Sequence, residues 1–507
     1  MRCVRAVKAL REEEGGGLES VAFYTAIERD APFVRHADHA FELPAPRGEV
    51  AAYLDHEGLL AALRRAGADA VWPGWGFVSE SPEFVEKLTA AGIRFLGPSP
   101  AAMRALGDKI GAKRIAEAAG VPVTPWSGGE VADEAAALSA ATQLGFPVVV
   151  KASAGGGGRG IRVVERPEQL AEAFRSAQAE AKAAFGDGRL FIERKVEGGR
   201  HIEVQIAADS DGIVLVLGAR DCSVQRRHQK VLEEAPPPDL PDALVEELQA
   251  AARQLASHVG YTGVGTVEFL VARGGFHFLE MNPRLQVEHG ITESISGLDL
   301  VQLQIRIARG ETLSFAKFEQ RGHAIEARVC AEDPDAGFLP APGRIARFDP
   351  ALGPGLRVDT GVVAGSQVPA AFDSLIAKVI AIGRNREEAR ARLAAALADF
   401  DLVIEGGATN KGWLAEVIDH PDYRKGGVDT TWLDRFSAAV RDIPEIIGVY
   451  RTTGDTDYML QAVVPDMAGY DRLYKRLIAR VPLNDVSSFF VMEKVKETTA
   501  LPLDYAS

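Results

Sequence analysis

Four successive glycines in one loop constrain this sequence more than any other feature. They occupy residues 155–158 of the segment KASAGGGGRG (residues 151–160), which directly follows the apolar stretch FPVVV. Glycine has no Cβ, so successive glycines let backbone amides close around phosphate oxygens. In a surface turn without a ligand, the same glycines would cost backbone entropy and stabilise nothing. The loop therefore predicts a phosphate clamp.

Two common phosphate-binding motifs do not fit this loop. Residues 155–160 match G-x-G-x-x-G, but a helix follows that dinucleotide fingerprint, and the next residues here, IRVV, are typical of a strand. A P-loop closes with Gly-Lys-Ser/Thr, which this loop lacks. A glycine loop between two strands instead predicts a flexible flap over a nucleotide.

Length and composition exclude several classes of protein. The 507 residues suffice for about three or four domains. Hydrophobic residues at 47 % and charged residues at 25 % are typical of a folded globular chain. The net charge of -14, from 57 basic and 71 acidic residues, argues against nucleic acid or an anionic membrane as a partner. No apolar run of about 18 residues is present, so we expect no membrane span.

The cysteines indicate the cellular compartment. Cys3, Cys222 and Cys330 show no CxxC spacing. An odd number of cysteines without that spacing indicates neither a disulfide framework nor a zinc cluster. We therefore expect a cytoplasmic protein.

Four segments differ in their pattern of helices and strands. Residues 1–97 alternate helix and strand, which predicts a parallel sheet covered by helices, although the segment begins with a helix. Residues 98–320 show paired strands joined by tight turns, typical of antiparallel hairpins. Residues 321–435 indicate a mixed α/β unit, and residues 436–507 a small α+β unit. The predicted fold class is a multidomain protein that combines α/β and α+β units.

Two glutamates are predicted to face each other across a hairpin. If residues 273–275 form a three-residue loop, Ala272 pairs with Phe276, and Glu268 then lies opposite Glu280. Like charges directly opposite are destabilising unless a cation lies between them. Carboxylate oxygens suit magnesium that shares its coordination with nucleotide phosphates. The pair is therefore a predicted metal site.

The chain beyond Glu280 alternates strictly between apolar and polar residues. As a continued strand, it would place on one side Glu280, Asn282, Arg284, Gln286 and Glu288. That side would then carry metal ligands, an anion-binding group and a candidate base. An ordinary solvated edge strand shows the same alternation, but the upstream glycine loop favours the functional interpretation.

A run of polar and basic residues, QRRHQK (residues 225–230), stands out in an acidic protein. Charge runs are usually solvated faces. Because this run adjoins the apolar stretch VLVLGARDCSV, it is also a candidate for a local anion site.

These features together resemble the biotin carboxylase family within the ATP-grasp superfamily, over residues 1–435. The motifs that carry the resemblance are GPSPAAMRALGDK, KASAGGGGRGIRVV, HIEVQI, RDCSVQRRHQKVLEEAP, FLEMNPRLQVEHGITE, GHAIEARVCAEDP, FLPAPGRI and FDSLIAKVI. The resemblance implies a pre-ATP-grasp sheet in residues 1–97 and an ATP-grasp domain with a glycine-rich lid in residues 98–320. It implies a mixed α/β C-terminal carboxylase domain in residues 321–435.

The resemblance also implies how the nucleotide is held. The residues implied to hold ATP are Lys109, Lys151, Glu193 and His201. The loop implied to close over its phosphates contains Gly155, Gly156, Gly157, Gly158 and Gly160. Magnesium or manganese would be bound by Glu268 and Glu280, with Asn282 nearby.

The second substrate implied by the resemblance is bicarbonate. Its implied binding groups are Lys230, Arg284, Gln286 and the backbone of Val287. Glu288 would deprotonate bicarbonate, whose oxygen then attacks the γ-phosphate to give carboxyphosphate. Lys230 and Arg284 therefore belong to the implied catalytic set together with Glu288.

The final acceptor implied by the resemblance is biotin on a carrier protein. Arg328 matches the family arginine that stabilises the enolate-like biotin oxygen. The sequence has no Met-Lys-Met-type biotin attachment site, so we expect that the carrier and the carboxyltransferase are on other chains or were lost. We also expect a homo-oligomer. Trp72 and Trp75 bring the sequence closer to large eukaryotic-type acetyl-CoA carboxylases than to many bacterial members. The family's opening strand has no counterpart before MRCVRAVKAL.

Residues 436–507 resemble a different family, the C-terminal ligand-sensing domain of leucine-responsive regulators. The resemblance rests on IPEIIGVYRTTGDTDYMLQAVVPDMAGYDRLYKRL and SSFFVMEKVKETTALPL. It implies a ferredoxin-like βαββαβ unit, here without its first strand, that forms oligomers and binds small effectors near Thr453, Gly454 and Asp455. No helix-turn-helix segment accompanies it, and an assembly role without effector binding stays open.

Two alternative functions remain beside biotin carboxylation. An ATP-grasp ligase for another carboxylate would share the glycine loop and the glutamate pair. A non-catalytic, effector-binding assembly protein would use the carboxylase-like part as a scaffold. Dependence of ATP turnover on bicarbonate separates these possibilities.

Overall fold

The computed structural model describes two compact units, Met1–Trp432 and Leu433–Ser507. The described residues are 1–154, 160–313, 319–434, 446–451, 458–462, 470 and 473–475.

The first 97 residues form helices around short parallel strand pairs. The helices are α1 (Arg2–Glu14), α2 (Pro32–His36), α3 (Glu49–Leu54), α4 (His56–Ala66) and α5 (Pro82–Ala90), and the strands are β1 (Val21–Tyr24), β2 (His39–Glu42), β3 (Ala70–Val71) and β4 (Arg94–Phe95). Both ends of α4 have the capping residues that helices prefer. The Asp55 side chain accepts a hydrogen bond from the Gly58 amide at 3.1 Å, and Gly67 ends the helix in a left-handed conformation.

The predicted parallel sheet of this segment is divided. β1 pairs in parallel with β2, and β3 with β4, in two separate sheets. The sequence did not indicate β2, because its side chains are mostly exposed and show no two-residue alternation.

Residues 98–320 contain the lid and most of the main sheet. Their helices are α6 (Pro100–Gly107), α7 (Lys109–Ala118), α8 (Glu134–Leu144), α9 (Leu170–Phe185), α10 (Asp242–His258), α11 (His289–Ser296) and α12 (Leu300–Ala308). Their strands are β5 (Val148–Ala152), β6 (Ile161–Val164), β7 (Leu190–Arg194), β8 (Arg200–Ala208), β9 (Val214–Arg226), β10 (Gln229–Ala235), β11 (Gly263–Ala272) and β12 (Gly275–Asn282).

The glycine loop joins β5 to β6 in a small antiparallel sheet of order β6-β5-β7. This confirms the predicted order of strand, loop and strand. The helices α8 and α9 pack on the sheet and enclose an apolar core that includes Val148, Val150 and Phe174. Residues 155–159 lie outside the described part, and Gly160 follows them at φ 68°, where a Cβ would lie 2.8 Å from that of Ala152. Both the conformation and the space therefore require glycine at this position.

The remaining residues of the first unit extend the main sheet. They form β13 (His323–Cys330), β14 (Glu332–Asp333), β15 (Leu339–Pro340), β16 (Arg344–Asp349), β17 (Leu356–Thr360), β18 (Leu375–Gly383), α13 (Arg386–Asp399), β19 (Asp401–Glu405), α14 (Lys411–Asp419) and α15 (Pro421–Lys425). The main sheet is antiparallel and has the order β12-β11-β8-β9-β10-β13-β18-β17. It therefore continues without a break across the predicted boundary at residue 320.

The β11–β12 hairpin has a shorter turn than predicted, but the two glutamates pair as predicted. Ala272 pairs with Gly275, so the turn has two residues rather than the predicted three. A bulge between Glu268 and Phe269 then shifts the register by one residue. Glu268 consequently lies opposite Glu280, as predicted.

The predicted continuation of this strand is wrong. β12 ends at Asn282, and residues 283–288 form bends and turns that lead into α11. Pro283 has no amide hydrogen for a strand ladder, which is why the alternation did not produce a longer strand. The run at residues 225–230 is the β9–β10 hairpin, turned by Arg227 and His228 at positive φ.

The second unit is described only in short pieces. β20 (Ile446–Arg451) and β21 (Tyr458–Ala462) form an antiparallel pair. Thr453, Gly454 and Asp455, predicted to lie near an effector, are outside the described residues, as is most of the expected βαββαβ unit.

Candidate active site

A cavity of about 2220 Å³ in the first unit contains the predicted site residues. Those that line it are Lys109, Lys151, Glu193, His201, Lys230, Glu268, Glu280, Asn282, Arg284, Gln286, Val287, Glu288 and Arg328. The lid sheet supplies Lys151 and Glu193 and the main sheet most of the others. Gly155, Gly156, Gly157 and Gly158 are outside the described residues, and the Gly160 amide donates to Glu180 at 3.1 Å.

At the lid, one buried carboxylate holds two ammonium groups. Glu193 lies 2.5 Å from Lys151 Nζ and 2.8 Å from Lys113 Nζ. Burial alone would raise the pKa of Glu193, but Lys151 and Lys113 outweigh it and hold the pKa at about 2. The sequence analysis missed Lys113, although it stands four residues after Lys109 on α7 and so on the same helix face.

On the main sheet, His201 on β8 lies between two carboxylates. Its Nε2 is 3.0 Å from Glu268 and 3.2 Å from Glu203. Burial would lower the pKa of His201, but the two carboxylates raise it to about 9. The imidazole is therefore a cation at neutral pH, and Gln225 is within 3.1 Å of its Nδ1.

The facing glutamates of β11 and β12 have opposite electrostatic surroundings. Glu268 accepts from Asn282 Nδ2 at 2.9 Å and from Gln286 Nε2 at 2.7 Å. Lys230 and His201 overcome the effect of burial and lower the pKa of Glu268, whereas burial and the charge of Glu268 raise that of Glu280.

A hard cation would relieve this repulsion. Glu280 stays partly exposed to the cavity, opposite a carboxylate that is held ionised. Two carboxylates and the Asn282 side chain supply the oxygen ligands that magnesium prefers, with room for phosphate oxygens in the cavity. The residues present therefore fit a magnesium site.

Farther along the cavity, Glu288 is held between two cations. Its Oε1 lies 2.7 Å from Lys230 Nζ, and its Oε2 accepts from Arg328 Nη2 at 3.0 Å. Burial would raise the pKa of Glu288, but Lys230 and Arg328 lower it. Glu288 is therefore an ionised carboxylate that can accept a proton, beside two groups that can bind an anion.

The turn after Asn282 brings the other predicted groups to the same place. Arg284 donates through Nη2 to Asn282 Oδ1 at 2.8 Å, and its Nε lies 3.2 Å from Glu80. The backbone carbonyl of Val287 accepts from Lys378. Although this stretch is not a strand, its side chains converge on the cavity as the alternation predicted.

Comparisons with known proteins show the family to which this chain belongs. Family models match in chain order: the biotin carboxylase N-terminal domain at residues 1–103, the carbamoyl-phosphate synthase L chain ATP-binding domain at 108–316, and the biotin carboxylase C-terminal domain at 326–435. Biotin carboxylase of Nostoc sp. is 44 % identical over 435 residues, covering 85 % of this chain and 97 % of that protein. The chain belongs to the biotin carboxylase family.

Another relative and a solved structure extend this assignment. Biotin carboxylase 1 of Bacillus subtilis is 41 % identical over 437 residues, covering 85 % of this chain and 96 % of that protein. The Campylobacter jejuni biotin carboxylase, solved as a β,γ-ATP complex, superposes with a TM-score of 0.82 at 40 % identity, over 86 % of this chain and 96 % of that one.

A second solved structure holds the ligands expected for this site. It is the biotin carboxylase domain dimer of Hydrogenobacter thermophilus 2-oxoglutarate carboxylase with MgADP, ADP and bicarbonate, and it gives a TM-score of 0.82 at 38 % identity, over 86 % of this chain and 95 % of that one.

The end of this biotin carboxylase chain matches another family. Residues 427–501 match the Lrp/AsnC ligand binding domain, in agreement with the predicted resemblance to leucine-responsive regulators. Within the described residues, no helix combines the length and the apolar surface needed to cross a membrane.

The sequence analysis missed the residues beneath the cavity floor. Arg220 on β9 is fully buried opposite Glu203 on β8. Its guanidinium donates to Glu203 at 3.1 Å and to Gln286 at 2.8 Å, while Glu203 also binds Lys230. Glu203 was detectable, because it stands two residues after His201 on one strand face. Arg220 was not, because its partners lie far away in the sequence, on β8, in the turn at Gln286 and on α11 at Thr292.

Proposed function

We propose that this chain carboxylates biotin with bicarbonate and ATP through carboxyphosphate, as the first half-reaction of an acyl-CoA carboxylase. The observation that carries the proposal is the group formed by Lys230, Glu288 and Arg328. A glycine lid and a metal pair would serve any ATP-grasp ligase. A carboxylate base between two cations fits an acceptor that is itself a small acidic anion.

At the nucleotide end, this chain binds and orients the phosphates. Lys151 stands on β5 at the start of the glycine loop and, together with Lys109, supplies positive charge for phosphate oxygens. Glu193 holds Lys151 in place. Glu268, Glu280 and Asn282 would hold magnesium, which when bound neutralises phosphate charge and orients the γ-phosphate.

At the bicarbonate end, Glu288 accepts the bicarbonate proton. Lys230, Arg284 and Gln286 bind the anion beside it, because they converge on the same part of the cavity. The bicarbonate oxygen then forms a bond to the γ-phosphorus as the bond to the ADP oxygen breaks, which gives carboxyphosphate and ADP. The chain contributes position and charge to this in-line transfer rather than a covalent intermediate.

The carboxyl transfer that follows depends on Arg328. Carboxyphosphate decomposes to carbon dioxide and phosphate, and phosphate takes the proton of the biotin ureido nitrogen. Loss of that proton places negative charge on the ureido oxygen. The nitrogen then forms a bond to the carbon of carbon dioxide, and the charge passes to the new carboxylate. Arg328 stabilises the charge on the ureido oxygen, which exists mainly during the transfer.

The proposed reaction also requires partner proteins and a cellular location. Biotin is presented on a carrier protein, the carboxyltransferase is a separate chain, and the enzyme is a homo-oligomer. The acyl-CoA context rests on Trp72 and Trp75, which both line the cavity. A cytoplasmic location is supported by three free cysteines.

The test is release of ADP from purified protein with magnesium and ATP, with bicarbonate or biotin omitted in turn. We expect ADP release to require both. Glu288→Gln should lose this activity, while Glu405→Gln, on the exposed surface of β19, serves as a matched control.

Two other outcomes would favour the alternatives. ADP release that depends on a different carboxylic acid would favour another ATP-grasp ligase. Changes in oligomer size with amino acids, without any ATP turnover, would favour an assembly protein.

A further inference from the structure

A second pair of glutamates lies face to face in the main sheet, away from the metal pair. Glu233 on β10 is directly opposite Glu326 on β13, and both side chains are fully buried, with 0 % exposure. Like charges in this arrangement are destabilising, and burial makes each charge more costly. No sequence pattern indicated this pair, because its members are far apart in the chain and meet only through sheet pairing.

Glu233 contacts Arg328, the residue that stabilises the biotin oxygen in the proposed reaction. Arg328 Nε donates to Glu233 Oε1 at 2.5 Å, while Nη2 of the same guanidinium donates to Glu288 at 3.0 Å. Two carboxylates thus fix Arg328 from two sides. Glu288 belongs to the bicarbonate end and changes protonation in the reaction, so Glu233 is the partner that stays constant.

Glu326 has no comparable partner among the described residues. It stands two residues before Arg328 on β13, and its Oε2 is 3.4 Å from Lys378 Nζ. Helix α11 closes over it, since a Cβ on Gly290 would lie only 3.1 Å from that oxygen. Within the described part of the chain, neither oxygen of Glu326 has a hydrogen-bond partner, nor has Oε2 of Glu233.

The charges around the pair do not favour two ionised carboxylates. The charged and titratable groups around the pair are Arg328, Lys378, Lys230, Glu288, Asp359 and Cys222. Arg328 and Lys230 are already shared with Glu288, and Lys378 with Asp359 and the Val287 carbonyl. Burial raises the pKa of both Glu233 and Glu326, and their charged neighbours only partly oppose it.

We propose that Glu233 is a positioning residue for Arg328, and that Glu326 carries a proton in the active enzyme, so that the facing pair holds a single negative charge. The role of Glu233 rests on the proposed function, because that function assigns Arg328 to biotin. The proton on Glu326 does not depend on the proposed function. One proton between the two carboxyls removes their repulsion and leaves Glu233 ionised against the guanidinium.

The test compares isosteric variants of the two glutamates. Glu326→Gln mimics a protonated carboxyl, so biotin-dependent ADP release should stay within about twofold of wild type. Glu233→Gln removes the charge that orients Nε, so kcat should fall about ten- to a hundredfold while the KM for ATP is unchanged. Glu233→Asp should restore part of the loss.

A matched control is available on the same strand. Glu234 is also buried, but it lies on the other face of β10 and pairs with Arg386 at 2.7 Å. Glu234→Gln should leave the biotin kinetics unchanged, and thermal unfolding shows whether each variant folds. Equal losses in Glu326→Gln and Glu233→Gln, or wild-type kinetics in Glu233→Gln, would overturn the proposal.

A spectroscopic readout separates this inference from the proposed function. The infrared difference spectrum between wild type and Glu326→Gln at neutral pH should show the band of one protonated carboxyl in wild type, whatever reaction the enzyme catalyses. Absence of the band from wild type would refute the shared proton. Wild type that shows the band but no dependence on biotin would refute the proposed function instead.

Discussion

The two facing glutamate pairs of the main sheet show how one local arrangement can serve two purposes. Glu268 and Glu280 lie opposite each other at one end of the sheet, and Glu233 and Glu326 near its middle. The first pair opens into the cavity, where Glu280 is partly exposed. The second pair is sealed beneath α11. We propose that access to solvent decides whether a cation or a proton relieves the repulsion.

The neighbours of each pair support that contrast. Glu268 accepts from two amides and faces two cations, which keeps it ionised and ready for a metal. Glu326 has one ammonium at 3.4 Å and no hydrogen bond among the described residues. Burial without a hydrogen bond favours the neutral form of a carboxyl group, which is why we propose that Glu326 carries the proton.

The largest expected effect is on metal-dependent chemistry. Glu280→Gln removes a proposed metal ligand. Because a bound metal stabilises transition-state charge by several kcal/mol, ADP release should fall about a thousandfold. Initial rates at saturating ATP and fixed magnesium measure this. A loss of less than about tenfold would show that Glu280 is not a ligand.

A buried carboxylate that meets cations instead of another carboxylate should behave differently with pH. The folded pKa of Glu193 is about 2, against 4.5 for the free group. Its contribution to stability is therefore present above pH 4.5 and lost as the pH falls through 2, and amounts to about 3 kcal/mol. Urea unfolding of wild type and Glu193→Gln at a series of acidic pH values should converge on acidification. Parallel curves would contradict the prediction.

Replacement of the guanidinium that contacts Glu233 and Glu288 should have an intermediate effect. Arg328→Lys keeps the charge but loses the fork that reaches Glu233 and Glu288 together, so we expect biotin-dependent turnover to fall about tenfold or more, with little change in ATP binding. Arg344→Lys, at an exposed position on β16, is the control. Unchanged carboxylation in Arg328→Lys would defeat the assignment.

The smallest effect should appear in the metal-free protein. With magnesium removed by a chelator, Glu280→Gln relieves repulsion from Glu268, so the free energy of unfolding should rise by up to about 1 kcal/mol. Glu326→Gln should give no such gain, because that pair already shares a proton. Equal gains in both variants would erase the contrast between the pairs.

The sequence predicted correctly that Glu268 lies opposite Glu280, but through two errors that cancel. The turn was taken as three residues instead of two, and the bulge at Glu268 and Phe269 was not foreseen. Both alter the register by one residue, in opposite directions. Alternation determines which residues share a strand face, but neither turn length nor a bulge follows from it.

Other parts of the site depend on contacts between distant residues, which the periodicity of helices and strands does not predict. The predicted strand after Asn282 is a turn, yet Gln286 and Glu288 still line the cavity. Lys113 and Glu203 follow from helix and strand periods and could have been found. Arg220 meets its partners only across strands and loops, so the sequence alone could not identify it.

The most direct test is transfer of labelled bicarbonate carbon to biotin by wild type, Glu280→Gln and Glu326→Gln, assayed side by side with ATP and magnesium. The expected result is labelled carboxybiotin from wild type and from Glu326→Gln, and almost none from Glu280→Gln. Absence of label with wild type would contradict the assigned reaction. Equal labelling by the two variants would contradict the division between a metal pair and a proton pair.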